Sequence, residues 1–244
     1  MKYFETALIL SLFFLTGIAF AQDPVTNTPS QYSIDQSINN NDDASVGNYS
    51  LHSYEENILT ITTTSGYKIK IQPFTEELVK VKLLLPGQLT EEPSMPVVLT
   101  ASAVTGEVSN LEQQIEFTFG NKKIVISKTP VSLAFYKSNT LVARESDGFT
   151  VNGSQKGINF YLGADEQIYG FGSQGIPVNR RGYRLNLFNQ AKWGYGGSGD
   201  VQDLNIAIPF FISSNNYGVY FDHPYPAVAD IGLTNSSSLN YSVS

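Results

Sequence analysis

The sequence predicts an all-β protein, a large antiparallel β-sandwich that begins near residue 48. Apolar and polar residues alternate in many short runs, and turn-forming residues separate those runs. No segment keeps the 3.6-residue period of an amphipathic helix over three turns. The chain has 20 glycines, 14 tyrosines and 15 phenylalanines, which suit turns and cross-strand aromatic pairs. A closed barrel is the competing architecture.

The individual strands follow from period-two patterning and from the turn residues between them. Gly120 and Asn121 separate two alternating arms and predict a hairpin. The run IAIPFFI is apolar throughout, which predicts a strand in a central position. The predicted strands lie within residues 58–64, 67–74, 78–86, 115–119, 123–128, 157–163, 204–213 and 217–224.

The first 21 residues have the pattern of a secretory signal peptide. Lys2 gives a weakly basic start, an apolar run covers residues 7–20, and Ala19-Phe20-Ala21 suits cleavage after Ala21. The apolar run is too short to span a membrane, so we expect no stable membrane insertion. The alternative is a buried N-terminal helix. The pattern predicts an exported bacterial protein, periplasmic or extracellular.

Residues 22–47 predict a flexible polar linker between the signal peptide and the folded domain. They are rich in Asn, Asp, Ser, Gln and Thr, and they contain no Lys or Arg. Such a composition buries too little apolar surface to offset the entropy of the chain. Residues 48–244 then form one domain of a length that sandwiches often have.

Composition excludes several kinds of site. There is no cysteine, so disulfides, thiolate metal sites and a cysteine nucleophile are excluded. The two histidines, His52 and His223, lie too far apart in sequence to suggest a zinc site or a catalytic triad. The net charge of −7 and the lack of a basic patch argue against nucleic-acid binding. No metal or organic cofactor is implied.

The stretch YGFGSQG, residues 169–175, has the G-x-G-x-x-G spacing of a dinucleotide-binding loop. That loop functions only between a buried strand and a helix whose N-terminus stabilises a pyrophosphate. Here Gly182 and the absence of an apolar stripe leave no helix after the glycines. The glycines instead predict a tight turn, at which side chains would block the approach of a neighbouring backbone segment.

Five short motifs follow one another in the second half of the chain. They are Tyr169-Gly170-Phe171-Gly172, Arg181-Gly182 through Asn189, Trp193-Gly194-Tyr195-Gly196, Ile208-Pro209-Phe210-Phe211, and Tyr217-Gly218-Val219 with Asp222. With these motifs, the chain from about Ser50 onward resembles the N-terminal, galactose mutarotase-like β-sandwich of glycoside hydrolase family 31. The tract 179–185 resembles bacterial members that act as oligosaccharide 4-α-glucosyltransferases. Asn189 is followed by Gln190 and Ala191, where many hydrolases of the family have an aspartate.

The resemblance implies a retaining α-glucosidase or α-glucosyltransferase whose two catalytic carboxylates lie on a (β/α)8 barrel that follows the sandwich. No part of residues 1–244 reads as that barrel, so we expect a non-catalytic N-terminal piece without catalytic residues. Its expected partners are α-glucan oligosaccharides and the C-terminal catalytic barrel. The alternatives are a free-standing carbohydrate-binding sandwich and a structural surface module.

The same resemblance points to a loop, residues 186–200, at the rim of a glycan site. Its candidate substrate-binding residues are Arg181, Asn189, Gln190 and Trp193. Docking of the domain on the barrel or bracing of the loop is the other role for Arg180, Arg181 and Arg184, and burial in an interface is the alternative for Trp193. The neighbouring acidic pairs are predicted to lie in solvated loops rather than to form a catalytic couple. They are Glu91 with Glu92, Asp165 with Glu166, and Asp200 with Asp203.

Overall fold

A computed structural model describes residues 9–14, 44–89, 94, 96–101, 104–189 and 206–243. Every regular element in these ranges is a β-strand, and every strand pairing is antiparallel. The described part therefore has no helix that is long and apolar enough to cross a membrane. The strands form two open sheets, which confirms the predicted all-β sandwich over the barrel alternative.

The first sheet has eight strands among the described residues. They are β1 (Ile9–Phe14), β3 (Tyr49–Glu55), β4 (Ile58–Thr63), β5 (Lys68–Pro73), β6 (Leu78–Leu84), β13 (Ile168–Gly170), β15 (Phe210–Ser213) and β16 (Tyr217–Asp222). Their spatial order is β13-β15-β16-β1-β6-β5-β4-β3.

The second sheet has ten strands among the described residues. They are β2 (Ala44–Ser45), β7 (Glu107–Asn110), β8 (Gln114–Phe119), β9 (Lys122–Lys128), β10 (Val131–Lys137), β11 (Thr140–Asn152), β12 (Gln155–Tyr161), β14 (Tyr183–Leu187), β17 (Ala227–Ile231) and β18 (Ser238–Val243). Their order is β14-β17-β18-β12-β11-β10-β9-β8-β7, and β2 pairs with β11.

Where apolar and polar residues alternate in the sequence, buried and half-buried side chains alternate in the strand. In β4 and β5 every second side chain is buried and the residues between are half-buried, so one face of each strand lies on the core. The predicted hairpin at Gly120 joins β8 to β9, with Gly120 at a φ of 53°. The period-two pattern therefore fixes which face of each strand points inward.

The core lies between the two sheets and is rich in aromatic rings. Phe221 of the first sheet stacks on Tyr241 of the second, with ring centroids 3.6 Å apart and planes 4° from parallel. Phe160 and Phe211 form an edge contact across the same gap at 6.3 Å. These rings tie together the two sheets near β16 and β18, the side on which the glycine-rich turn lies.

Three features differ from what the sequence predicted. The folded part starts before residue 48, because Ala44–Ser45 pairs with β11 and Val46 is completely buried. Val46 is one of a few scattered apolar residues in a polar segment, so composition gave no sign of its burial. The run 206–213 is only half strand: β15 begins at Phe210, and Ile206 and Ile208 are exposed. Pro209 lacks an amide hydrogen, and a paired strand begins only after it.

The third difference concerns the N-terminus. The backbone of residues 9–14 forms β1 in the middle of the first sheet, rather than a helix. These residues lie inside the predicted signal peptide, whose cleavage stays a prediction. Residues 15–43, which include the cleavage point and most of the predicted linker, lie outside the described residues.

Candidate functional site

The glycine-rich turn after β13 is built around close backbone contact. Gly170 and Gly172 have φ values of 119° and 86°, which side-chain-bearing residues rarely adopt. A Cβ atom on Gly172 would lie 2.3 Å from the carbonyl oxygen of Ile206, and one on Gly170 would lie 2.6 Å from that of Phe210. The N–H of Ser173 donates to the Ile206 carbonyl at 2.8 Å. The prediction that these glycines permit backbone approach is confirmed.

Arg180 holds this turn from inside. Its guanidinium donates to the carbonyls of Gly170 (3.2 Å), Ile176 (2.9 Å) and Pro177 (2.8 Å), with a longer contact to Gly172 (3.5 Å). The side chain is almost fully buried, and burial lowers the pKa of Arg180 from its usual value. Four carbonyls around one guanidinium give the turn a fixed shape without a ligand.

Arg181 connects the strand ends on the opposite side. Its Nη1 donates to the carbonyls of Gly163 (2.5 Å) and Glu166 (2.7 Å), and its Nη2 donates to that of Ser236 (2.7 Å). These contacts are the bracing role that the sequence offered as an alternative. The sugar contact proposed for Arg181 stays a prediction. It would use the guanidinium N–H groups that do not donate to these three carbonyls.

Arg184 pairs with a buried carboxylate. Its Nε and Nη2 both reach Oδ2 of Asp230, at 3.1 and 2.8 Å, and the hydroxyl of Thr234 donates to the same oxygen at 2.6 Å. The N–H groups of Leu233 and Thr234 donate to the other oxygen, Oδ1. The carboxylate is fully satisfied, so this cluster anchors the turn after β17.

Glu166 is buried, so the prediction that it lies in a solvated loop is wrong. Asp165 is exposed as expected, but Glu166 is buried and accepts hydrogen bonds from the Ser213 and Tyr217 hydroxyls and from the Gly163 amide. Burial and the neighbouring Glu166 carboxylate raise the pKa of Tyr217 well above its usual value. The two hydroxyl partners, Ser213 and Tyr217, are distant in sequence, which is why a solvated loop was the natural expectation.

Asn189 contacts the segment that leads into β15. Its Oδ1 accepts a hydrogen bond from the amide of Ala207 at 2.6 Å, which brings the end of β14 beside residues 206–210. Phe188, Ile206 and Ile208 are each about half exposed at this place. We call residues 171–178, 188–189 and 206–210 the rim. Gln190 and Trp193, together with the Glu91/Glu92 and Asp200/Asp203 pairs, lie outside the described residues.

A shallow groove of about 310 Å³ lies beside the rim, on the outer face of the second sheet. Asn186, Val228 and Ser242 occupy one row across β14, β17 and β18 and line it together with Gln155 and Phe188. The hydroxyl of Ser242 is buried and has no hydrogen-bond partner among the described residues. No carboxylate lines the groove, so its described walls offer no acid pair for glycosidic cleavage.

Within the described ranges, no group of three or more His, Asp or Glu side chains is placed to hold a metal ion. The arrangement thus defines a class: a β-sandwich with an arginine-braced turn, an apolar rim and a polar groove without an acid pair.

Comparison with known proteins identifies the family to which this sandwich belongs. Residues 68–230 match the model of the glycosyl hydrolase 31 N-terminal galactose mutarotase-like domain. Because this match covers more than half of the chain, the chain belongs to that domain family.

Several full enzymes are similar to this chain. "Alpha-glucosidase 2" of Bacillus thermoamyloliquefaciens is 24% identical over 192 residues, which are 76% of this chain and 24% of the relative. The solved family 31 dextranase of Flavobacterium johnsoniae is 25% identical with a TM-score of 0.74, covering 82% of this chain and 25% of that one. The cycloalternan-forming enzyme of Listeria monocytogenes shares the fold, with 18% identity, a TM-score of 0.71 and coverage of 81% and 19%. This chain therefore spans about a quarter or less of these relatives.

Proposed function

We propose that this chain is the non-catalytic N-terminal domain of an exported, retaining α-glucosidase or α-glucosyltransferase that acts on α-glucan oligosaccharides. The membership in the family 31 N-terminal domain carries the proposal. Catalysis belongs to a (β/α)8 barrel on the same polypeptide, and residues 186–200 extend from the rim to shape its substrate cleft. Export follows from the predicted signal peptide, cleaved after Ala21.

The rim supports the docking part of the proposal. Phe188, Ile206 and Ile208 expose apolar side chains within one small area, around a turn that Arg180 keeps rigid. Clustered apolar side chains on a soluble protein mark interaction surfaces, whereas isolated ones need no explanation. We propose that the barrel covers this area and that Asn189, Gln190, Trp193 and Arg181 lie at the border of the cleft.

The first test uses the polypeptide as the cell makes it. We expect an exported protein longer than 244 residues, with its N-terminus at Gln22, that cleaves or transfers glucosyl units from maltotriose or isomaltotriose. Residues 1–244 alone should show no turnover of either sugar. Turnover by residues 1–244 alone, or an exported polypeptide that ends at Ser244, would contradict the proposal.

The second test addresses the rim within the longer polypeptide. Ile206→Asp should lower the unfolding temperature and reduce kcat/KM by about tenfold or more, because a buried charge without a partner opposes docking. Leu51→Asp is the matched control, since Leu51 on edge strand β3 and Ile206 are both 54% exposed. Equal effects of the two substitutions would show that the rim is not an interface.

The groove favours a second candidate, a carbohydrate-binding sandwich that acts without catalysis. Its supporting observation is the ring of Phe188 beside the polar groups of Asn186, Gln155 and Ser242. Calorimetry of residues 1–244 with maltotriose should then show millimolar binding that Asn186→Ala abolishes and the exposed control Asn152→Ala leaves intact. Absence of binding to the folded chain would exclude this candidate.

A further inference from the structure

Strand β1 occupies a central position that it cannot keep in an exported protein. It lies between β6 and β16 and is antiparallel to both, with six register pairs to β16 and five to β6. Its residues also belong to the segment that the proposed export removes. The inference below rests on that part of the proposed function.

Removal of β1 would divide the first sheet. Four strands, from β3 to β6, would remain on one side, and β13, β15 and β16 on the other. The gap equals two strand spacings, about 9–10 Å. Both facing edges would lose their backbone partners, and unpaired edges in a buried position are strongly unfavourable. An extended segment that runs in the direction of β1 would restore both ladders.

The walls of this gap specify the chemistry of an occupant on the core side. Val81 and Phe221 share one row across the gap, and Val79 and Val219 share another. All four side chains are completely buried in the core. The occupant must therefore offer apolar side chains at these two alternate positions.

The outer side of the gap needs a hydrogen-bond donor. The predicted signal peptide, called the leader below, does not supply one at this position. Lys82 and Asp222 lie in the same row as residue 9, and both are almost fully buried. Oδ2 of Asp222 has no hydrogen-bond partner among the described residues. Isoleucine at position 9 has no polar side-chain atom. A strand that evolved for this position would place a hydrogen-bond donor there.

We propose that the position of β1 is an acceptor slot, filled in the mature protein by a strand from the part of the enzyme outside residues 1–244. The occupant has apolar residues in the two core-facing rows and a hydrogen-bond donor in the row of Lys82 and Asp222. This is strand addition between two sheet edges. The undescribed segments 22–43 and 190–205 are too polar or glycine-rich to fill the slot, whereas about three quarters of the length of each relative lies outside the part that this chain matches.

The first experiment uses residues 1–244 with a protease site inserted in segment 22–43. The chain is folded and cut, and the leader fragment is removed by dilution and gel filtration. Hydrogen exchange, followed by mass spectrometry, then reports on β6 and β16. We expect exchange there to rise at least tenfold, while β9 on the second sheet keeps its protection. Unchanged protection of β6 and β16 would mean that the slot closes by itself, and the proposal would be wrong.

Synthetic peptides test the chemistry of the slot. The probe Lys-Lys-Ile-Leu-Ser-Leu-Phe-Phe-Lys-Lys should restore protection, and the version with Leu12→Pro should not, because proline cannot complete the ladder. A version with Ile9→Asn should bind three- to tenfold more tightly, and this gain should vanish in the Asp222→Ala variant. If the cut chain unfolds without its leader, the probe must refold it, and failure to do so also contradicts the proposal.

The source of the strand is tested in the longer exported polypeptide. There β6 and β16 should be protected without any peptide, and the probe should not bind. Protection accompanied by loss of exchange in residues 96–101 would assign the slot to that segment of this chain instead. An exported protein that retains residues 1–21 would refute leader release, whereas the absence of glycosidase activity would refute only the proposed function.

Discussion

Glu145 gives the sharpest prediction from the structure, because a single buried carboxyl controls a defined pH range. It lies in β11 beside a shift in register between Glu145 and Gly148. Its Oε2 accepts the Leu133 amide at 2.8 Å, and Oε1 has no partner among the described residues. Burial raises the pKa of Glu145 from 4.5 to about 8, although the Leu133 amide acts in the opposite direction. The folded protein therefore holds this carboxyl protonated at neutral pH.

The sign and size of the effect follow from proton linkage. The unfolded carboxyl ionises near pH 4.5, whereas the folded one ionises near pH 8. Its stabilising contribution is therefore complete below the lower pKa and is lost as the pH rises through the higher one. Each pH unit inside this window changes the free energy of unfolding by at most about 1.4 kcal/mol. Between about pH 5.5 and about pH 8 the loss integrates to about 3 kcal/mol.

The assay is urea unfolding of residues 1–244 and of Glu145→Gln at about pH 5.5 and about pH 8. Glutamine keeps the shape and the carbonyl acceptor but cannot ionise, so the variant should gain about 3 kcal/mol on the wild type as the pH rises. The difference between the two chains cancels other titrating groups, His223 among them. Parallel pH dependence of wild type and variant would refute the assignment of a neutral buried carboxyl.

Three further predictions concern the second histidine and the glycine turn. Burial lowers the pKa of His223 to about 4, so its contribution to stability is present above about pH 6.5 and is lost as the pH falls toward 4. In the same urea assay, His223→Gln should therefore reduce the fall in the free energy of unfolding between about pH 6.5 and about pH 4. Gly172→Ala should lower the free energy of unfolding by more than about 2 kcal/mol, because of both its positive φ and its contact with Ile206, while Gly87→Ala, with a similar φ and open space, should cost only about 1 kcal/mol. Arg180→Lys should lower the unfolding temperature by several degrees, since an ammonium cannot reach four carbonyls at once, and an unchanged melting curve would count against the brace.

The strands could be predicted where apolar and polar residues alternate between close neighbours in the sequence. The arms of the β8–β9 hairpin and the buried faces of β4 and β5 follow from neighbouring residues alone. The rim was only partly predictable. The sequence placed a turn at Gly170 and Gly172, but it also assigned Ile206 and Ile208 to a buried strand, because apolar character does not distinguish a core from an interface.

The sequence by itself determined the all-β class, the positions of most strands and the family, because each depends on residues close together in the chain. The tertiary structure alone decided the partners of the polar side chains. A Ser236 carbonyl accepts from Arg181 and the Tyr217 hydroxyl donates to Glu166, and both contacts join segments distant in sequence. The burial of Asp222 with one unpartnered oxygen likewise depends on how distant segments pack. It also decided that residues 9–14 stand in the middle of a sheet, since strand order is set by long-range pairing that period-two patterning does not encode.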